Sequence, residues 1–172
     1  GSMILDRENR ICYAAISSRT SIDLLKYICK KINYKLISFK AYQTFKKNRE
    51  LIYHTNVMMC IAKEYAIVCL DSIDNEDEKI SLKNSIIKTN KKIIEITENQ
   101  CQNFVGNMLQ VKNIKNEKYL IMSSRAYKSL TNDQIKKLKK YNKLLHSELH
   151  LIEKLGGGGA RCMIAENFLQ KK

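Results

Sequence analysis

The run Gly156-Gly157-Gly158-Gly159-Ala160-Arg161-Cys162-Met163 sets a nucleophilic sulfur directly behind four consecutive glycines. Glycine lets a backbone approach a ligand closely and populate positive φ, but its freedom in the unfolded chain makes a four-glycine stretch costly unless something requires it. An active-site loop is one such requirement; a flexible tail linker ending in a buried cysteine is the structural alternative. A second segment, Tyr53-His54-Thr55-Asn56-Val57-Met58-Met59, puts a histidine at the head of an apolar run that reads as a strand. A thiol nucleophile and its general acid/base can come from segments far apart in sequence, because the fold brings them together. Cys162 and His54 are therefore the candidate catalytic pair.

The bulk properties bound what can surround that pair. With 172 residues, 44% of them hydrophobic, the chain is long enough for one domain (1–172) with a real core. No apolar stretch reaches the roughly 20 residues that span a bilayer, and the N-terminus carries no signal-peptide pattern, so a cytoplasmic protein without a membrane partner is expected. Gly1-Ser2 reads as an expression remnant ahead of Met3 and is set aside. The six cysteines, Cys12, Cys29, Cys60, Cys69, Cys101 and Cys162, form no C-x-x-C pair. They are expected to be reduced, with neither a disulfide framework nor zinc. His146 and His150 alternate with Leu145, Leu149 and Leu151, as on one face of a strand, and no third ligand accompanies them; no metal or other cofactor is expected. The net charge is +14, yet the lysines are scattered along polar helix faces, as in Lys136, Lys137, Lys139, Lys140 and Lys143. A solvated surface accounts for them, and no specific nucleic-acid partner is expected.

A repeat organises the chain. Ser17-Ser18-Arg19-Thr20 recurs 106 residues later as Ser123-Ser124-Arg125-Ala126, with Asp71-Ser72 about halfway between, which implies a unit of about 53 residues. Each unit opens with two apolar runs split by a polar turn: Met3–Leu5 with Ile11–Ile16, Val57–Ala62 with Tyr65–Leu70, and Met108–Val111 with Tyr119–Met122. A helical pattern follows. In the first unit Ile22, Leu25, Ile28, Cys29 and Ile32 lie at helical spacing behind Thr20 or Ser21 as N-cap. In the second, Ile80, Ile86 and Ile87 form the stripe, and in the third Thr131 caps a helix carrying Ile135, Leu138 and Tyr141. A further apolar run closes each unit, at Tyr34–Phe39, Ile93–Ile96 and Leu144–Ile152, and Glu98–Phe104 adds a short connecting helix. The fold class is α/β, built from ββαβ modules over residues 3–42, 53–97 and 104–152, followed by a glycine-rich loop and C-terminal segment over 156–169.

The order and spacing of Met3-Ile4-Leu5-Asp6-Arg7, Ser18-Arg19-Thr20, Tyr53-His54-Thr55-Asn56-Val57-Met58, Phe104-Val105-Gly106-Asn107-Met108 and the Gly157–Met163 loop resemble the pentein superfamily. That superfamily includes arginine deiminases, amidinotransferases, dimethylarginine hydrolases and citrulline-utilisation hydrolases, and the closest likeness is to the last of these. The resemblance implies an α/β propeller of five such modules around a central channel, of which this chain holds about three, corresponding to the C-terminal part. It implies Cys162 as nucleophile and His54 as acid/base, with Asn56 in an H-x-N element. It also implies acidic residues that grip the substrate from earlier modules; none can be assigned in this chain.

The chemistry so implied is C–N hydrolysis at a ureido or guanidino carbon through a covalent thio-intermediate, on a small molecule such as citrulline or arginine. Asn56, Gly106, Asn107, Gly158, Gly159 and Arg161 are the expected substrate-binding or channel-lining residues. Arg161 or a charged His54 would favour the thiolate, and backbone N–H groups of the glycines could face developing charge, a tight turn being the steric alternative. Asn56 in place of an aspartate mildly favours a neutral ureido group. Since three modules leave open edges, a homodimer or a partner chain completing the propeller is expected. An inactive remnant, or a noncatalytic binding protein that keeps the fold, is the alternative function.

Overall fold

A computed structural model describes residues 1–166. Three small sheets share one topology. In the first, β1 (Ile4–Asp6) pairs antiparallel with β2 (Ile11–Ala15), and β2 pairs parallel with β3 (Lys35–Phe39) after the crossover helix α1 (Ile22–Ile32). A separate two-stranded hairpin follows, β4 (Tyr42–Phe45) and β5 (Asn48–Leu51). In the second sheet β6 (Met59–Ile61) and β7 (Tyr65–Val68) are antiparallel, and α2 (Glu76–Lys88) returns the chain to β8 (Lys92–Glu95), parallel to β7. The third joins β9 (Leu109–Lys112), β10 (Lys118–Ser123) and β11 (Lys143–Ser147) in the same way. Two short helices make that crossover, α4 (Ser124–Ser129) and α5 (Asn132–Lys139). A parallel strand pair needs such a crossover, whereas the antiparallel pairs need only tight turns.

The middle strands β2 and β7 are buried along their whole length, which explains why they read as unbroken apolar runs rather than alternating ones. Strand β6 contacts both β1 and β9, so the first strands of the three sheets meet along a common line. The main core gathers Tyr13, Phe39, Met59, Tyr65, Ile67, Leu120 and Met122 from all three sheets, together with Met58, Met108 and Leu82 of α2. A smaller cluster of Cys12, Ala14, Leu25 and Cys29 lies under α1. Beneath the β1 end, Asp6 and Lys91 form a wholly buried ion pair at 3.5 Å, and Lys91 Nζ also donates to Lys63 O at 2.8 Å.

Ser21, rather than Thr20, caps α1 by accepting from Leu24 N. Thr131 caps α5 in a capping box with Gln134, and Thr97 does the same with Gln100 for α3 (Glu98–Gln102). The two capping-box glutamines then exchange amide hydrogen bonds, Gln100 Nε2 to Gln134 Oε1 at 2.7 Å and Gln134 Nε2 to Gln100 Oε1 at 3.1 Å. This buried pair fixes α3 against the third sheet's crossover.

Several expected elements differ in the structure. Val57–Ala62 is not one strand: a 3-10 turn over Thr55–Val57 precedes β6. Leu144–Ile152 divides into β11 and α6 (His150–Gly156), so His146 and His150 do not share a strand face. His146 instead stacks on Tyr127 with ring centroids 4.2 Å apart. In α2 the inward row is Leu82, Ser85 and Ile86. Ile80 and Ile87, seven residues apart, form a second row that is about half exposed; hydrophobicity alone did not distinguish the rows.

Candidate active site

Three loops meet at the site, each held by a different local device. The first carries His54 and Asn56. Thr55, fully buried, accepts from Ala15 N at 2.8 Å and donates to Ser2 O at 2.5 Å. Val57 N donates to His54 O and Met58 N to Thr55 O, both at 3.1 Å, closing the 3-10 turn. Asn56 N donates to Gly1 O at 3.1 Å. Gly1 and Ser2, set aside on sequence grounds, are thus structural partners of this turn, and a Cβ on Gly1 would stand 2.9 Å from His54 Nδ1.

The second loop runs from the end of α3 to Asn107. Phe104 takes a left-handed backbone, φ 64°. Gly106 packs backbone against backbone, since a Cβ there would sit 2.2 Å from Val57 O and 2.7 Å from Val57 C. Only glycine permits that approach, and it brings Asn107 under the His54–Asn56 turn. Asn107 is buried, with Nδ2 donating to Asn56 O at 3.3 Å and Oδ1 accepting from Arg161 N at 3.1 Å.

The third loop leaves α6 through Gly157, whose φ of +66° makes a left-handed helix cap. Gly159 lies against Asn107, and a Cβ there would meet Asn107 Oδ1 at 2.8 Å. A 3-10 turn over Ala160–Met163 then presents Cys162. Cys162 is exposed whereas the other five cysteines are buried. Its Sγ accepts from Asn107 Nδ2 at 3.2 Å and from Asn56 Nδ2 at 3.4 Å. Two amide donors thus converge on one sulfur, and hydrogen bonds to an ionised acceptor are stronger than neutral ones.

Cys162, His54 and Asn56 border two adjoining cavities, of about 680 Å³ and about 350 Å³. The larger is also bounded by Arg19, Arg125, Tyr53, Phe104, Asn107 and Gly158, and by Gln43 and Phe45 from the β4–β5 hairpin. No carboxylate among the described residues lines it. Arg161, Gly1 and Glu166 border the smaller one. Burial, the amino-terminal ammonium and Arg19 together hold the His54 imidazole below its ordinary pKa, so it rests neutral at neutral pH and is free to accept a proton. Arg19 lies over the Tyr53 ring at 5.1 Å, and Tyr53 OH donates to Gly157 O at 3.5 Å, tying the histidine segment to the glycine loop.

Of the residues expected from sequence, Cys162, His54, Asn56, Asn107, Gly158 and Arg161 come together at these cavities. Gly106 and Gly159 border neither; they are close-packing positions behind the wall. Arg19 and Arg125, read only as the landmark of the internal repeat, both face the larger cavity. Each follows the middle strand of its sheet, so the repeat itself was the signal that could have found them. Gln43 and Phe45 carried no sequence signal.

Comparisons with known proteins agree with this architecture. The family model described as N,N dimethylarginine dimethylhydrolase, eukaryotic, matches residues 1–169, of which 167–169 lie outside the described residues, as does that end of the expected 156–169 segment. A comparison with curated proteins finds no match. Among solved structures, apo ArgZ, an arginine dihydrolase from the ornithine-ammonia cycle in Cyanobacteria, is similar with TM-score 0.72 and 22% identity over 99% of this chain and 25% of that one. The N-terminal domain of ArgZ, as an asparagine-to-serine variant covalently bound to a reaction intermediate, is similar with TM-score 0.67 and 22% identity over 94% of this chain and 53% of that one. Agmatine deiminase from C. jejuni is similar with TM-score 0.54 and 12% identity over 94% of this chain and 53% of that one. The chain therefore spans about half the length of the ArgZ domain whose fold it shares. The family match covers nearly the whole chain, and on that ground the protein belongs to the N,N dimethylarginine dimethylhydrolase family of the pentein superfamily.

Proposed function

We propose that this protein hydrolyses a C–N bond of a guanidino or ureido group, with Cys162 as nucleophile and His54 as general acid/base. The observation that carries the reading is the exposed Cys162 sulfur, held by the Asn56 and Asn107 amides in a cavity that His54 also lines. The Cys162 thiolate adds to the central carbon, forming a C–S bond. The tetrahedral adduct collapses with loss of the amine, whose nitrogen takes a proton from the imidazolium left when His54 accepted the thiol proton. Neutral His54 then removes a proton from water as it attacks the thio-adduct, and the thiolate departs and is reprotonated. The resting neutrality of His54 suits it to both proton acceptances.

Arg19 and Arg125 offer two cations to the carboxylate of an amino-acid substrate. The amide of Asn56 suits a neutral ureido group, which favours citrulline, while dimethylarginine and arginine are the guanidino candidates suggested by the family and by ArgZ. A guanidinium in the larger cavity would lack a counter-charge from the described lining, and burying it unpaired costs several kcal/mol. In the five-module propeller reading this chain supplies three modules, and a second copy or another chain segment brings the carboxylates. A binding protein that keeps the fold without turnover is the second reading, favoured by that same carboxylate-free lining. Both are separated by measuring ammonia and ornithine release from citrulline, with arginine and dimethylarginine in parallel. Turnover that vanishes in Cys162→Ala supports the hydrolase; none at high protein concentration supports the binding protein.

A further inference from the structure

Among the described residues the β4–β5 hairpin is joined to no other sheet, and its two strands bury almost nothing. Ala41 and Ile52 at its base are fully buried, with Ile52 N donating to Ala41 O at 2.9 Å. Beyond that base, packing does not account for its position. A polar clamp does. Arg49 Nε donates to both carboxylate oxygens of Asp74, at 3.1 and 3.0 Å, and Nη2 to Asp71 O at 3.0 Å. Nη1 reaches Thr44 Oγ1 at 3.1 Å and pairs with Glu98. Glu98 also accepts from Thr44 N at 2.9 Å, and Gln102 Nε2 donates to Thr44 O at 3.0 Å. These contacts dock the hairpin on the start of α3, whose Cys101 and Gln102 border the same cavity that receives Gln43 and Phe45.

From this arrangement we infer that the hairpin is the specificity wall of the catalytic cavity, with Gln43 and Phe45 meeting the substrate's side chain and Arg49 acting as the positioning residue that sets their place. Phe45, half exposed and directed by the clamp to the cavity rim, offers an apolar face to the methylene chain of an amino acid whose carboxylate lies toward Arg19 and Arg125. Gln43, with both donor and acceptor atoms, reads the polar substituents on the reacting group. The clamp depends on the planar fork of Arg49, which addresses two carboxylates and a carbonyl at once; lysine keeps the charge and loses that geometry. The inference deepens the proposed function and rests on it for the identity of the substrate, but not for the position of the wall.

The test is the rate of Cys162 labelling by N-phenylmaleimide relative to iodoacetamide, read by peptide mass spectrometry in the full chain, with protection by L-citrulline and L-arginine measured alongside. Phe45→Ala, at a solvent-facing position that leaves the core intact, and Arg49→Lys should each raise the phenylmaleimide-to-iodoacetamide ratio about tenfold. The double variant should add little to either, because both act through one wall. Protection should weaken about tenfold in each. An unchanged ratio in Phe45→Ala overturns the wall. Protection of the unmodified protein that persists equally in both variants overturns the substrate contact. If Cys162 labels no faster than a buried cysteine while the ratio still rises in the variants, the activated-thiol reading fails and the wall stands.

Discussion

Asn107→Ala should reveal how the nucleophile is held. Asn107 serves three partners at once: Asn56 O, Arg161 N and Cys162 Sγ. Truncation leaves the Arg161 N–H and the Asn56 carbonyl without protein partners, each worth about 1–3 kcal/mol if it stayed dry. Both lie beside a cavity that admits water, so the combined loss of stability is set at about 2 kcal/mol. The sulfur loses its nearer amide donor. A hydrogen bond to a charged group is worth about 1.5–3 kcal/mol, and Asn56 Nδ2 at 3.4 Å keeps part of it, so the lower figure applies. That is about a tenfold fall in the rate of Cys162 alkylation by iodoacetamide at neutral pH, followed by intact mass while urea unfolding reports stability. Asn107→Asp separates the two effects. It retains an acceptor for Arg161 N but replaces the donor to sulfur with negative charge, so it should cost less stability and slow alkylation further. Alkylation of Asn107→Asp at the unmodified rate would refute the argument that this amide supports the thiolate.

Gly106→Ala should destabilise by about 3 kcal/mol or more, the upper range for overpacking, because its new methyl meets the Val57 backbone rather than a movable side chain; urea unfolding reads it. Lys91→Met should cost about 3–5 kcal/mol by leaving buried Asp6 unpaired, and Asp6→Asn combined with it should recover part of the loss in the same assay. Since the folded pKa of His54 lies below its unfolded value, folded protein binds fewer protons than unfolded protein between the two. The His54 contribution to stability is therefore complete above about pH 6.5 and is lost as pH falls through the folded value. Arg19→Gln should move that folded value upward, measured by NMR titration of the imidazole, because a like charge is removed.

The legible part of the fold was the part built on apolar runs with turn residues between them. The hairpins around β2, β7 and β10 and the capped helices α1 and α5 depend on local periodicity and on Ser21 and Thr131, and sequence carries both; the Thr97 cap of α3 was not read from it. The Leu144–Ile152 run was misread because strand and helix compete over a short apolar stretch, and the outcome is decided by tertiary contacts: β11 pairs with β10 up to Ser147, beyond which no strand partner remains. The hairpin β4–β5 was invisible because each face of β4 mixes polar and apolar residues, Gln43 with Phe45 and Thr44 with Tyr42, and because long-range ion pairs of Arg49 hold it. In the site, residue types singled out Cys162 and His54, and the family resemblance added Asn56. The division of labour among glycines was not announced: Gly157 supplies a positive φ, Gly158 borders the cavity, and Gly106 and Gly159 make room for neighbouring atoms. Only the assembled neighbours reveal which need each glycine meets.

The most direct test of the account is intact-mass analysis of acid-quenched mixtures of the protein with citrulline, arginine and dimethylarginine. The account predicts that at least one substrate leaves a covalent adduct on Cys162, that the adduct disappears in Cys162→Ala, and that it accumulates in a His54 variant unable to activate water. A fully alkylatable Cys162 that forms no adduct with any of the three, at any time point, would contradict covalent catalysis at this sulfur.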